Sequence, residues 1–172
     1  MHTRRRMRLL PSAYVGNAWS FVTICTFNRA CFFSSTGLAN WLVKFTRRIA
    51  SEEGFRLHAW CVMPDHLHLL VEGTSQKRDL RLFVRSLKRQ SSEKFESRFH
   101  RPLWQRNFYD HILRARESGD PIAWYIWMNP VRKGLCADPR EYVFSGSETF
   151  DWKSRRRLRE TWAPPWKTAR PN

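Results

Sequence analysis

The sequence predicts an α+β fold, and three observations carry that reading. Runs at 19–27, 55–63 and 66–72 are rich in β-branched, aromatic and aliphatic residues, as strands are. The Pro64-Asp65 pair between the last two turns them into an antiparallel hairpin. Apolar residues at helical spacing intervene at 38–49 and 80–87.

A chain of 172 residues fits one domain and can bury a core without staples. The composition divides it into a basic arm over 1–18, a folded domain over 19–150 and a basic, loosely ordered tail over 151–172.

In order, the first strand is expected over 19–27, and Ser34, Ser35 and Thr36 are candidates to cap the first helix. Leu38, Trp41, Leu42, Phe45 and Ile49 form its apolar stripe, Lys44, Arg47 and Arg48 lie largely opposite, and Gly54 stops it. After the hairpin, Asp79 caps a second helix whose apolar stripe is Leu80, Phe83, Val84 and Leu87. Arg81, Arg85 and Lys88 form a basic stripe on it, which is either a solvated face or a track for phosphates. This helix is expected to fray through Ser91, Ser92 and Phe95. A fourth strand is expected over 103–113. Asp120 is the expected N-cap of a third helix, with Pro121 at its first position. That helix is short, because Pro130 disfavours helical geometry at Asn129. Ile122 and Ile126 can face the core, while Tyr125 and Asn129, four apart, share another face.

Charge narrows the partners. Lys and Arg number 31 against 15 Asp and Glu, a net charge of +16 spread along the chain. Such a field attracts polyanions, with nucleic acid first and an anionic membrane surface second. Nine Trp and twelve Phe among these cations suit stacking on unpaired bases, although most serve a core. The four cysteines have no paired metal spacing and read as reduced, mostly buried thiols of a cytoplasmic protein. Arg4, Arg5, Arg6 and Arg8 resemble a signal-peptide start, but no apolar segment follows, and no run is long enough to cross a bilayer.

Two histidines stand one residue apart at the start of the third strand. His66 and His68 project to one face while Leu67, Leu69 and Val71 project to the other. Their Cα atoms lie roughly 6 to 7 Å apart, so both imidazoles can converge on one divalent cation. The spacing alone leaves two readings open: a metal site, or partly buried histidines bonded to neighbouring backbone.

Three ordered blocks carry a resemblance that the pair alone does not. Met63-Pro-Asp-His-Leu-His68, Trp104-Gln-Arg-Asn-Phe-Tyr-Asp-His-Ile-Leu-Arg114 and Tyr125-Ile-Trp-Met-Asn-Pro-Val-Arg-Lys-Gly-Leu135 resemble the single-tyrosine HUH transposases, closest to the REP-associated tyrosine transposases. Ser20-Phe-Val-Thr-Ile-Cys-Thr-Phe-Asn-Arg29 resembles the family's first strand, so the likeness spans about residues 8 to 148. It implies a ferredoxin-like antiparallel sheet with packed helices, a metal held by His66, His68 and Asn129, and Tyr125 as nucleophile. Asn129 points to the REP-associated branch, since related insertion-sequence transposases carry Gln at a comparable place. His111 also matches, without an assigned role.

The implied chemistry suits these residue types. A tyrosine with a pKa of about 10 is a weak nucleophile, so the scissile phosphate must be polarised, and Mg²⁺ or Mn²⁺ is the implied cofactor. The implied reaction is cleavage and rejoining of single-stranded DNA next to hairpins through a 5′-phosphotyrosine, in a protein for which a monomer is favoured over a homodimer. The alternatives are a non-catalytic module that only holds hairpin DNA or RNA, and a metallohydrolase that uses bound water. For Tyr125 the plain alternative is a helix tyrosine packed on the sheet.

Overall fold

The computed structural model describes residues 9–154 and 162–168. A five-stranded antiparallel sheet organises them: β1 (Trp19–Cys25), β2 (Phe55–Met63), β3 (His66–Gly73), β4 (Tyr109–Ile112) and a short β5 (Ser145–Gly146), in the order β4-β1-β3-β2-β5. Helix α1 (Thr36–Glu53) follows β1 and α2 (Leu80–Phe99) follows β3. The first four strands and these two helices make the ferredoxin-like arrangement. Helix α3 (Gly119–Trp127) and the single turn α4 (Asn129–Arg132) come after β4.

Both faces of the sheet are covered, and side-chain alternation decides which residue goes where. On one face, Val22 and Ile24 of β1 and Leu67, Leu69 and Val71 of β3 pack against Leu42 and Ile49 of α1 and Phe83 and Leu87 of α2. Each such side chain, fully buried, contributes about 1.5–3 kcal/mol. On the other face, Phe21, Cys61, Met63 and Leu70 pack against α3. Helix α3 is buried all round, Ile122 through Trp127, because the chain also wraps over its outer side with Phe150, Trp152 and Trp162.

Local chemistry sets the ends of these elements, and it corrects several expectations. Strand β1 stops at Cys25 instead of running to 27, because Asn28 and Arg29 both adopt left-handed φ (50° and 56°). Helix α1 ends at Gly54 as expected, with φ 69°, where any other residue would be strained. Helix α2 does not fray at Ser91; it runs unbroken to Phe99 and ends at His100 in the left-handed conformation. Ser91 is satisfied within it, donating to the Leu87 carbonyl (2.6 Å) and accepting from Trp104 Nε1 (2.8 Å).

The expected fourth strand is interrupted. Residues 103–105 bond the end of β1, through Phe27 N to Leu103 O and Gln105 N to Cys25 O (both 2.9 Å), the chain then detours, and only Tyr109–Ile112 forms ladder. The N-cap of α3 is Ser118, not Asp120, and Gly119 is its first residue, because a Cβ there would meet the Trp19 ring at 2.1 Å.

Packing crosses the expected boundaries of arm and tail. Tyr14 joins the α1/α2 core, and Trp152 stacks on Trp127 with centroids 4.8 Å apart. Residues 1–8, 155–161 and 169–172, including Arg4 to Arg6 and Arg155 to Arg157, lie outside the described residues. Cys25 and Cys61 are buried, but Cys31 is exposed and Cys136 intermediate, so burial of the thiols is less general than expected; all four are free. No described helix is long and apolar enough to cross a membrane.

Candidate active site

The histidine pair opens β3 directly after the hairpin tip, on the face that α3 covers. Cys25 of β1 stands opposite His66, and Thr23 stands opposite His68 and, on its other side, Tyr109 of β4. Cross-strand partners share a face, so one polar row, Tyr109–Thr23–His68, crosses three strands.

Both rings are held by their Nδ1 atoms. His66 Nδ1 meets Asp65 Oδ1 at 2.6 Å, and His68 Nδ1 meets Thr23 Oγ1 at 2.8 Å. The Nε2 atoms consequently face each other, 3.0 Å apart. Beside a carboxylate, His66 carries its proton on Nδ1, which leaves Nε2 with a free lone pair. Thr23 can donate or accept. When it donates, His68 Nε2–H bonds His66; when it accepts, both Nε2 lone pairs are available to one cation. Carboxylate- and hydroxyl-held imidazoles of this kind are the usual surroundings of metal-ligating histidines.

Burial keeps both rings neutral, which ligation requires. Desolvation is the main cause that lowers the His66 pKa, against the opposing pull of Asp65, and it takes His68 well below the usual histidine range. Asp65 itself is lowered, because its bonds to His66 and the charge of Arg29 outweigh a desolvation that alone would raise it. Arg29 Nε lies 2.9 Å from Asp65 Oδ2, and its Nη1 donates to Cys25 Sγ (2.8 Å).

Helix α3 and the turn after it complete the site. Asn129 Nδ2 donates to the carbonyls of Tyr125 (2.9 Å) and Ile126 (3.1 Å), which commits its N–H groups and leaves its oxygen to His68, whose protonated form it favours. The expected adjacency of Asn129 and Tyr125 therefore holds, although a break after α3, not a continuous helix, produces it. Among the described residues no three His, Cys, Asp or Glu side chains cluster closely enough to hold a metal.

The Tyr125 ring lies edge-on to His68, centroids 6.1 Å apart, and Phe21, Trp162 and the Arg132 guanidinium (4.2 Å) surround it. Its hydroxyl is buried and has no hydrogen-bond partner among the described residues. An unpaired buried hydroxyl costs about 1–3 kcal/mol and calls for an explanation. Of the five side chains with an unpaired buried polar atom among the described residues, Tyr125 is the one that lines this pocket.

These groups line one pocket of about 480 Å³. Arg29, Lys133 and Lys167 bring positive charge into it, Gln105 and Tyr109 form part of its wall, and Pro164 and Lys167 belong to the segment that crosses Tyr125. No carboxylate lines the pocket, so its field favours a phosphate.

The sequence-predicted residues His66, His68, Tyr125 and Asn129 thus come together. Arg81, Arg85 and Lys88 do not join them; they line a separate groove along α2. Arg81 is tied to Asp79 (2.6 Å), and Lys88 is turned inward, its Nζ donating to the carbonyls of Gln105 (2.7 Å) and Arg106 (2.8 Å). Burial lowers the Lys88 pKa, so one member of the expected phosphate stripe braces the detour before β4 instead. His111 bonds Glu117 (2.7 Å) and ties β4 to the approach to α3. Thr23, Asp65 and Arg29 were not anticipated. Strand parity could have found Thr23, since it shares a face with Phe21 and Cys25.

Helix α3 thus sets a tyrosine beside two ring-locked histidines on a ferredoxin-like sheet, and the family to which this fold belongs is shown by the comparisons. Residues 15–126 match the family model described as "Transposase IS200 like", and the chain belongs to this family of transposases. A REP-associated tyrosine transposase of Escherichia coli is 26% identical, covering 76% of each chain. An uncharacterized protein of Haemophilus influenzae is 29% identical over 76% of this chain and 90% of its own. The solved structure of a REP-associated tyrosine transposase bound to a REP hairpin aligns with a TM-score of 0.69 at 24% identity, over 95% of this chain and 92% of that one, and shares the fold.

Proposed function

We propose that this transposase is a metal-dependent endonuclease and strand transferase that acts on single-stranded DNA beside hairpins, with Tyr125 as nucleophile and His66, His68 and Asn129 as metal ligands. The observation that carries the reading is one pocket in which two histidine Nε2 atoms converge beside an unpaired, buried tyrosine hydroxyl. Hairpin DNA as partner rests on the similar protein solved with a REP hairpin. The division at 18 and 150, a cytoplasmic location and a monomeric state belong to the same reading.

A divalent ion, Mg²⁺ or Mn²⁺, would polarise the scissile phosphate and stabilise charge developing on it. The chain's own groups do the rest. Asp65 and Thr23 hold the imidazoles, Arg29, Lys133 and Lys167 hold the phosphate, and Trp162 shields the Tyr125 ring from water. The Tyr125 oxygen bonds to phosphorus as the bond to the 3′-oxygen breaks. In net, the phenolic proton passes to that oxygen, which leaves as a free 3′-hydroxyl. A phosphodiester is preserved, so the reverse step rejoins strands without an external energy source. Arg81 and Arg85 would contact backbone phosphates outside the pocket.

Incubation with a labelled hairpin oligonucleotide and Mn²⁺ should give a covalent adduct that disappears with chelator and in Tyr125→Phe. Cleavage surviving in Tyr125→Phe would refute the nucleophile. Tight binding without any adduct would favour the non-catalytic module.

A further inference from the structure

A second groove, away from the catalytic pocket, has the composition of a single-strand binding site. It lies between the start of α1 and the end of α2, encloses about 530 Å³, and is lined by Leu38, Trp41, Phe95 and Phe99 with Lys94 and Arg98 on its rim. No carboxylate lines it. Its aromatic rings continue beyond it as a ladder: Phe99 to Phe95 at 4.6 Å between centroids, and Phe95 to Phe32 at 5.0 Å. Cations stack on that ladder, Arg98 5.3 Å from the Phe99 ring and Arg101 5.0 Å from the Phe32 ring. Phe99 is 37% exposed at the end of α2, with one side of its ring on Phe95.

The groove opens at the same end of the sheet as the histidine pair. Phe33, in the turn that leads to α1, donates its backbone N–H to Pro64 O at the hairpin tip that precedes His66. Arg29, which lines the catalytic pocket, lies on the intervening turn. A chain of cations from Arg29 through Arg101 and Arg98 to Lys94 thus runs around this end of the molecule.

We propose that the groove binds an unpaired stretch of the DNA substrate flanking the hairpin, with bases stacked on Phe99 and Trp41 and phosphates on Lys94 and Arg98. This rests on the reading of the chain as a single-strand transposase. A paired duplex hides its base faces and could use only the cations, whereas unpaired bases of any identity can stack on an aromatic floor. Charge complementarity selects a polyanion, and the aromatic floor selects one with flat, exposed rings.

The test is fluorescence anisotropy of the full chain, with chelator present, on three oligonucleotides: a bare hairpin, the hairpin with unpaired thymines on both sides, and the same with those flanks paired. The unpaired flanks should raise affinity about tenfold or more over the bare hairpin, and Phe99→Ala should remove most of that gain, as loss of a stacked base does. Arg98→Glu should do likewise, while both variants bind the bare hairpin and unfold thermally like the parent. Equal affinity of variants and parent for the unpaired flanks, equal loss on the bare hairpin, or equal loss on the paired flanks would each overturn the proposal. Adduct formation on the bare hairpin in Mn²⁺ is scored separately. If the parent forms no adduct but shows the flank effect, the catalytic reading fails and the groove stands.

Discussion

Two sets of buried histidines lie on the α3 face of one sheet, and they are built to opposite rules. At the far end from the hairpin tip, a bulge in β2 turns His58 toward α3, where it stacks on Trp19 with centroids 3.6 Å apart. Both of its nitrogens are occupied, Nδ1 by Thr149 (2.8 Å) and Nε2 by Glu72 (3.0 Å). At the tip, His66 and His68 have their Nδ1 atoms anchored by Asp65 and Thr23. Their Nε2 atoms meet each other, in a pocket also lined by Tyr125, whose hydroxyl has no partner among the described residues. Burial is equal, at 4% exposure for His58 and 5% for each of the pair, so burial does not separate structure from function here. What the Nε2 atom meets does: a carboxylate at His58, a second imidazole in the pair.

Substitutions can break this contrast in turn. The largest effect belongs to Tyr125→Phe, which should lower adduct formation by about a thousandfold or more while stability stays level or rises by up to about 1 kcal/mol, because a costly orphan hydroxyl is removed. Adduct gels and thermal unfolding of the same preparation measure both. Asp65→Asn and Thr23→Val weaken the Nδ1 anchors, the first also the ion pair with Arg29, and each should weaken Mn²⁺ affinity by about 10–100-fold, read from the metal dependence of cleavage. His58→Ala should show the reverse pattern. It should cost about 2–3 kcal/mol in denaturant unfolding, by leaving Thr149 without its ring partner and Glu72 with only the more distant Arg56 (3.5 Å), and leave cleavage by the folded protein unchanged.

The smallest effect is on pH dependence. Desolvation is the first cause that lowers the pKa of His58, His66 and His68. As pH falls below about 6.5 the unfolded chain takes up these protons before the folded one, so stability is full above that value and is lost as pH drops toward the folded pKa values. Unfolding midpoints measured from pH 7 to 5 should decline, and His58→Phe should make the decline shallower.

Much of this was legible in the sequence because strand parity and helix periodicity are local properties. The alternation His66-Leu67-His68-Leu69 sorts correctly onto two faces, and β2 and the start of β3 begin where the pattern changes. What was not legible depends on partners distant in sequence. Thr23 reaches His68 across 45 residues, and Lys88 leaves the expected basic stripe because carbonyls 17 and 18 residues on claim its ammonium. Ser91 looked like a helix breaker until Trp104 supplied its donor. Ser118 takes the cap by accepting from the Asp120 N–H (3.3 Å), and the Trp19 ring, distant in sequence, leaves room only for glycine at position 119. No local pattern reveals that the chain folds back after 161 to lay Trp162 against Tyr125.

The central claim is that Tyr125, and not another tyrosine of the same pocket, is the nucleophile that acts beside the histidine pair. Tyr109 gives the sharpest rival, since it lines the same pocket in the same cross-strand row as Thr23 and His68. Proteolysis of the Mn²⁺-dependent hairpin adduct followed by mass spectrometry decides between them. The account predicts a nucleotide linked to the peptide that carries Tyr125 and none on the Tyr109 peptide. A nucleotide on Tyr109, or a free 5′-phosphate with no modified peptide, would contradict it.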